Sequence, residues 1–491
     1  MKRLPLLVVV AASTAFATPS GTTVILNGTA IDPGTGKVMP NTAITIEGDH
    51  LTAIKESSTD IPNKDDVVID AHGKFILPGY IDTHVHFFQS GGLFTRPDVV
   101  DLTGVRPYKD EIAMIRRNLP DAFARYLRSG ITSVLDIGGP LWNFEMRRIA
   151  TSTAKAPRVA AAGPLISSVS RPQLDLGDPP IVKIDTPEQG TQMVQKLAPQ
   201  KPDYIKIWYI VPPAQERITP KPGEGGSPSP APGQSDVERA ASFRPVVHAV
   251  IAEAHRLKLR VAVHATELEA ARASVEEGAD LLVHSVTDKP VDETFVKLLK
   301  EKGTILTPTL VVFERYGRTF ANKLELTPEE KAWGNPEVIA SLDVTKLPAD
   351  KVPDRIKAAI ANPQPVLDRI QQTYDVALKN LKTLQDAGIT IATGTDAGNI
   401  GTIHGSAIFR EFQLMKQAGL TPLQVLQCTT ANAAKTFGGD TGAKIGSLKP
   451  GNFADLVILK SNPLDDIRNT SDIDSVIKNG VVYPADSLLR K

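Results

Sequence analysis

The sequence predicts an α/β protein: a (β/α)8 TIM barrel carrying a small β-sandwich domain formed by the N- and C-terminal segments. Three observations predict it. Between residues 79 and 438, amphipathic stretches alternate with short runs that are apolar at nearly every position, and there are eight such runs. Runs apolar on both faces and separated by helices belong to a parallel sheet, and eight of them suit closure into a barrel. The flanks, 18–78 and 439–491, instead alternate apolar and polar residues between Gly, Pro and Asp turns, the texture of short antiparallel strands. No G-x-G-x-x-G or phosphate-loop pattern favours a doubly wound sheet instead.

Taken in order, residues 1–17 read as an export leader. Lys2 and Arg3 precede an apolar run over 4–12, and Ala15-Phe16-Ala17 forms a small-residue cleavage site. The apolar run is about half of the roughly 20 residues a membrane span needs, so the mature chain is expected to start at Thr18 without a stable span, in the periplasm or secreted. The intact mass of exported protein checks this: a mass retaining residues 1–17 would overturn both cleavage and location. VILNGTAIDPGTGKVMPNTAITIEGDHLTAIKE then supplies the first sandwich strands. The barrel strands follow as YIDTHVHFF, ITSVLDIGG, PRVAAAGPLIS, DYIKIWYI, LRVAVHA, DLLVHSV, GTILTPTLVV and ITIATGTDAG. GSLKPGNFADLVILKSNPL and SVIKNGVVYP return to the sandwich texture. Two inserts interrupt the repeat, a Pro/Gly/Ser-rich one at 212–243 and a second at 317–365. Both follow strand C-terminal ends and would overhang whatever lies there.

Six residues at those strand ends carry the chemistry: His84, His86, Lys206, His264, His284 and Asp396. Strand side chains alternate faces, so His84 and His86 point the same way and could grip one cation, although two loop histidines would give the same H-x-H pattern. Asp82 shares their parity, either orienting a ligand or satisfying buried backbone. Lys206 ends an apolar run, where a lysine would ordinarily reach out to water. His264 and His284 stand twenty positions apart, one helix-plus-strand unit, which puts them on adjacent strands. Asp396 could equally cap a helix. His248 and His255 fall seven apart within a helix and read as solvent-facing or packing residues, while His50 and His72 carry no site signal.

The order H-x-H, Lys, His, His, Asp, with PGYIDTHVH at the entry and GLTPLQVLQCTTANAAKTFG near the end, resembles the amidohydrolase superfamily. Within it, the chain resembles the binuclear, carboxylated-lysine branch, close to the imidazolonepropionase-like and Xaa-Pro dipeptidase-like members. That resemblance implies two divalent metal ions, with zinc the expected metal, bridged by a carbamate on Lys206. It implies that His84, His86 and Asp396 hold one ion and that His264 and His284 serve the other. It also implies that Asp396 is the general base toward a metal-bridging hydroxide, water on such ions having a pKa near 7 rather than 15.7. Trp208, Tyr209, Arg171 and His404 are the expected substrate contacts.

Composition narrows the partners. With 55 acidic and 55 basic residues in 491, the chain has no net charge to draw it to nucleic acid or an anionic membrane. Cys428 is the sole cysteine, so no intrachain disulfide can form. The expectation is a hydrolase cleaving an amide C–N bond in a small N-acyl amino acid or dipeptide-like molecule, with room for a homo-oligomer. A lactone or phosphoester hydrolase on the same site and a non-catalytic binding barrel are the alternatives.

Overall fold

The computed structural model describes residues 21–59, 62–211 and 235–489. The expected leader and residues 212–234 of the first insert lie outside that set. Strands β1 (Thr22–Asp32), β2 (Lys37–Glu47), β3 (His50–Glu56), β4 (Val67–Asp70) and β5 (Phe75–Pro78) come first. They are followed by β6 (Tyr80–Val85), β7 (Ile131–Asp136), β8 (Arg158–Ala161) and the short β9 (Leu165–Ser167) and β10 (Ile181–Lys183). Next are β11 (Tyr204–Trp208), β12 (Arg260–His264), β13 (Leu281–Val283) and β14 (Ile305–Thr307). The chain returns through β15 (Leu456–Leu459), β16 (Ile473–Lys478) and β17 (Val481–Pro484).

Both chain ends enter one mixed eight-stranded sheet, ordered β17-β16-β15-β5-β1-β2-β3 with β4 beside β1. β15 pairs antiparallel with β5, which stitches the C-terminal strands onto the N-terminal ones. Ile25, Ile44, Leu51, Ile76, Leu456 and Ile477 from six of these strands share one apolar cluster. The sequence texture suggested a sandwich; the hydrogen bonding is that of a single continuous sheet. Only Gly79 separates β5 from β6. A Cβ there would stand 2.3 Å from the Thr132 side chain, so the close approach of the two modules requires glycine.

The central strands are parallel and alternate with helices, a TIM-barrel-type α/β arrangement. β6, β7 and β8 pair in order, as do β11, β12, β13 and β14. An Ala162–Tyr204 bridge leads from β8 to β11, and a Leu306–Ile391 bridge leads from β14 to the segment 389–397. That segment bonds back to β6: Thr83 N–H donates to Thr393 O at 2.9 Å, Asp396 N–H to His84 O at 2.7 Å and His86 N–H to Ala397 O at 2.8 Å.

Two strands differ from the expected pattern. The eighth is not regular, because Gly394 and a left-handed Asp396 (φ 60°) turn its backbone. A Cβ on Gly394 would meet His84 Cβ at 2.8 Å, so this is where the last segment presses onto the first strand. The third run breaks at Gly163-Pro164 into β8 and β9, and β9 moves over to pair with β10 and β11. Proline has no amide hydrogen with which to continue a ladder.

Inward side chains sort by depth. Tyr204 lies two residues before Lys206 and Ala262 two before His264, so they share a face, and they pack with Leu135, Ala160, Leu281 and Ala392 as the apolar filling beneath the strand ends. Above them, the second insert forms helices Pro328–Trp333, Pro336–Ser341 and Asp354–Ala361. Val338, Leu342, Val344 and Ile356 from that region pack on Leu93, Val100 and Leu102 of the loop after β6, so this insert is a cap with its own small core. Among the described residues no helix is long and apolar enough to cross a membrane.

Candidate metal centre

All six strand-end residues line one cavity of about 470 Å³ at the C-terminal ends of the parallel strands. Asp396 Oδ1 lies 3.3 Å from His84 Nε2 and 3.1 Å from His86 Nε2, and the two imidazole nitrogens are 3.2 Å apart. His284 joins them: ligand atoms of His84, His284 and Asp396 fall within 4.8 Å of one another. The His264 and His284 rings stand 4.3 Å apart centre to centre, so the four imidazoles form a continuous lining.

Ring orientation is fixed from behind. His86 Nδ1–H donates to Gly138 O at 2.7 Å, leaving the Nε2 lone pair facing the cavity. Asp136, buried under the same turn, accepts from Asn143 Nδ2 at 3.0 Å and from the Phe87 and Gly138 amides. His284 Nδ1 meets Thr309 Oγ1 at 2.6 Å. Asp82 accepts from the amides of His84 and Thr395 and from the Thr395 hydroxyl at 2.7 Å, tying β6 to the eighth segment. It therefore serves buried backbone directly, and burial lifts its carboxyl to about 7.

The electrostatics suit a cation. Burial first, then neighbouring cationic groups, push His84, His264 and His284 well below the usual histidine range, so all three are neutral with lone pairs available. Lys206 is 2% exposed, and its Nζ has no hydrogen-bond partner among the described residues; burial pushes the ammonium down to about 7. Beyond its contacts with the two imidazoles, Asp396 Oδ1 likewise accepts no hydrogen bond. A buried lone amine and carboxylate oxygen facing four neutral imidazoles is a donor set that fits divalent ions. Backbone strain concentrates here too: of nine non-glycine residues with left-handed φ among the described residues, His284 (76°), Thr309 (47°) and Asp396 (60°) belong to this site.

A model of the amidohydrolase family matches residues 75–483. The chain belongs to the amidohydrolase family. Its relatives include the ochratoxinase of Aspergillus niger, 25% identical over 472 residues, covering 91% of this chain and 82% of that one. A Xaa-Pro dipeptidase crystallised with methionine in its active site superposes with a TM-score of 0.68 at 22% identity, covering 94% of this chain and all of that one. Molinate hydrolase superposes with a TM-score of 0.68 at 21% identity, covering 96% of each chain.

In this amidohydrolase the expected substrate contacts divide. Trp208 lines the cavity beside His264, and Arg171, which is not among the lining residues, lies over the Trp208 ring, 5.0 Å from its centre. Tyr209 does not face the mouth. It is fully buried among the outer helices, and its hydroxyl donates to Ala240 O. Strand alternation explains this, since Lys206 and Trp208 share the inward face and Tyr209 falls on the other. His404 is also no lining residue of this cavity: it stacks on Phe87, donates from Nε2 to Gln89 O at 2.7 Å and accepts from Tyr126 at 2.8 Å. His248 and His255 are exposed and hydrogen-bond to Glu277 and Asp280, away from the cavity.

Residues that strand-end reasoning missed lie on loops and on one helix beyond the strand ends. Arg96 and Asn399 line the cavity together with Phe88, Phe313, Tyr316 and Phe320, the last three from the helix Val312–Phe320. Thr309 is the other missed residue. Thr309→Val keeps the shape but strips His284 of its Nδ1 partner, and metal affinity should fall about 10–100-fold. Chelator competition checks this, with Thr309→Ser expected to stay near wild type; equal affinity in Thr309→Val would remove Thr309 from the account.

Proposed function

We propose that this amidohydrolase cleaves an amide C–N bond in a small N-acyl amino acid or dipeptide-like substrate at a centre of two divalent ions, zinc being the expected metal. Lys206 carries the proposal. A lysine amine lining a cavity, without a partner among the described residues and with its ammonium pushed down to about 7, so that much of it is the free amine at neutral pH, is poised to add carbon dioxide. In that step Nζ bonds to the CO2 carbon and loses a proton, giving a carbamate whose single negative charge is shared by two oxygens. His84, His86 and Asp396 would hold one ion and His264 and His284 the other, with the Lys206 carbamate between them. When bound, the ions supply Lewis acidity toward the scissile carbonyl and lower the pKa of water to about 7.

The remaining work falls to the chain's own groups. His86 and His284, fixed through Gly138 and Thr309, keep their ring planes set during turnover. Asp396 takes the proton of the attacking water on a carboxylate oxygen and returns it to the amine nitrogen as the C–N bond breaks. Phe88, Trp208, Phe313 and Phe320 wall the cavity with apolar surface that limits water and receives an apolar acyl group. The relatives named as ochratoxinase and Xaa-Pro dipeptidase support amide chemistry.

The test pairs elemental analysis of active protein with a hydrolysis screen of N-acyl amino acids and dipeptides against lactones and phosphoesters. About two metal equivalents and amide cleavage are expected. Lactone or phosphoester turnover without amide cleavage would transfer the site to the alternative chemistry, and metal-free active protein would overturn the mechanism.

A further inference from the structure

One wall of the cavity gathers two guanidinium groups at a single carboxylate. Arg96 forks onto Asp98, with Nε to Oδ1 and Nη2 to Oδ2 both at 2.7 Å. Its Nη1 donates to Tyr316 at 3.1 Å and to Asn399 Oδ1 at 2.8 Å, and the Tyr316 hydroxyl also donates to Asn399. A second guanidinium, Arg171, approaches the same carboxylate only at 3.5 Å and otherwise donates from Nη1 to Ser170 O. Two cations therefore share one anion, and all three side chains are largely shielded from water, at 13%, 9% and 1% exposure for Arg96, Arg171 and Asp98. Of the other acids in this region, Glu111 is already paired with Arg106 and Ser90, and Asp396, whose charge Arg96 also feels, lies against the imidazoles of His84 and His86.

A charge surplus at a sheltered, cavity-lining position is costly unless a ligand completes it. Four of the five guanidinium N–H groups of Arg96 are engaged, which leaves one on Nη2 beside the cavity. Arg171 stands on the same Asp98 oxygen and lies over the Trp208 ring. Burial and the like charge of Arg96 together outweigh Asp98 and hold the Arg171 guanidinium below its ordinary value, as expected for a cation short of counter-charge. Asn399 links this wall to the centre: it accepts from Arg96, and its Nδ2 donates to Asp396 O at 3.2 Å. The surplus charge thus lies two hydrogen bonds from the residue assigned to move the proton, a short step from the bond to be cut.

We propose that Arg96, backed by Arg171, is the subsite for a free carboxylate on the leaving side of the substrate, so that the enzyme selects N-acyl amino acids over neutral amides. This rests on the amide-hydrolase reading and adds a recognition rule to it. Arg96 donates to the carboxylate, Arg171 adds a second positive charge beside the shared Asp98, and Tyr316 with Asn399 fixes the fork.

The experiment uses metal-loaded enzyme and two matched pairs. N-benzoyl-L-phenylalanine and N-benzoyl-2-phenylethylamine differ only in the carboxylate, and their benzenesulfonyl counterparts are not hydrolysed. Calorimetry on the sulfonamides and kcat/KM on the benzoyl pair should each favour the carboxylate by about 10²-fold or more, since a polar site left unpaired rejects the analogue strongly. Arg96→Lys should shrink that ratio at least about tenfold, and Arg171→Met at least about threefold. Loss of folded protein lowers both members of a pair alike and leaves their ratio untouched. Equal binding of the two sulfonamides by wild type, or an unchanged ratio in both variants, overturns the subsite. Carboxylate-dependent, Arg96-dependent sulfonamide binding without benzoyl cleavage would keep the subsite and reject the amide reading.

Discussion

Asp396→Asn is expected to lower kcat by about 10²–10⁴-fold while leaving the protein folded and much of its expected metal in place. The amide oxygen can still face His84 and His86, which stand 3.3 and 3.1 Å from the native carboxylate, but it cannot take up a proton. Asparagine also tolerates the left-handed backbone at this position (φ 60°), so the exchange adds no new strain. Circular dichroism and elemental analysis establish that the variant is intact. Retention of more than about a tenth of the wild-type rate would remove Asp396 from the proton-transfer role.

Lys206→Ala should lose both metal and activity, the rate falling by at least about 10³-fold, a barrier increase of several kcal/mol. The substitution deletes the amine that would carry the bridging anion and opens a void beside the buried imidazoles. A short carboxylate such as propionate offers the same pair of oxygens and is small enough for that void, so added propionate should restore part of the rate. Lys206→Arg should not be rescued, because its guanidinium fills the space and cannot add carbon dioxide. Full metal content and near-native turnover in Lys206→Ala would end the carbamate proposal.

How far the sequence reveals the molecule depends on how local each determinant is. The six clustered side chains are legible because each ends an apolar run, and in a parallel sheet covered by helices such ends converge. Trp208 is legible by the same alternation, and applying it one residue further would have turned Tyr209 outward. Arg96 is not legible: it sits in the irregular loop after β6, whose path is set by Leu93, Val100 and Leu102 packing on an insert about 240 residues away in sequence. Thr309 is hidden for a similar reason. Its left-handed backbone is held when Glu411 accepts the amides of Leu310 and Val311 at 2.9 and 2.7 Å, a contact no local pattern announces. The terminal sheet shows its strands in the texture of both flanks, while its continuity depends on a pairing between residues nearly 400 positions apart.

That pairing governs the order in which the molecule can be made. β5 finds β15 as its neighbour only after some 370 intervening residues have emerged, and Lys74 reaches Asp474 across 400. On the barrel side, Arg158 waits for Asp455, and the hydroxyl of Tyr204 waits for the carbonyl of Thr436. The first strands synthesised therefore leave the ribosome with an unsatisfied edge at β5 and stay so until the closing strands arrive. Closing a loop of that length costs only a little more entropy than closing a short one, but it is slow, because distant partners must meet before any contact rewards the search. Assembly is thus set to be late and nearly all at once. A chain halted anywhere before residue 456 would expose the β5 edge to other chains, and aggregation or proteolysis would compete with folding.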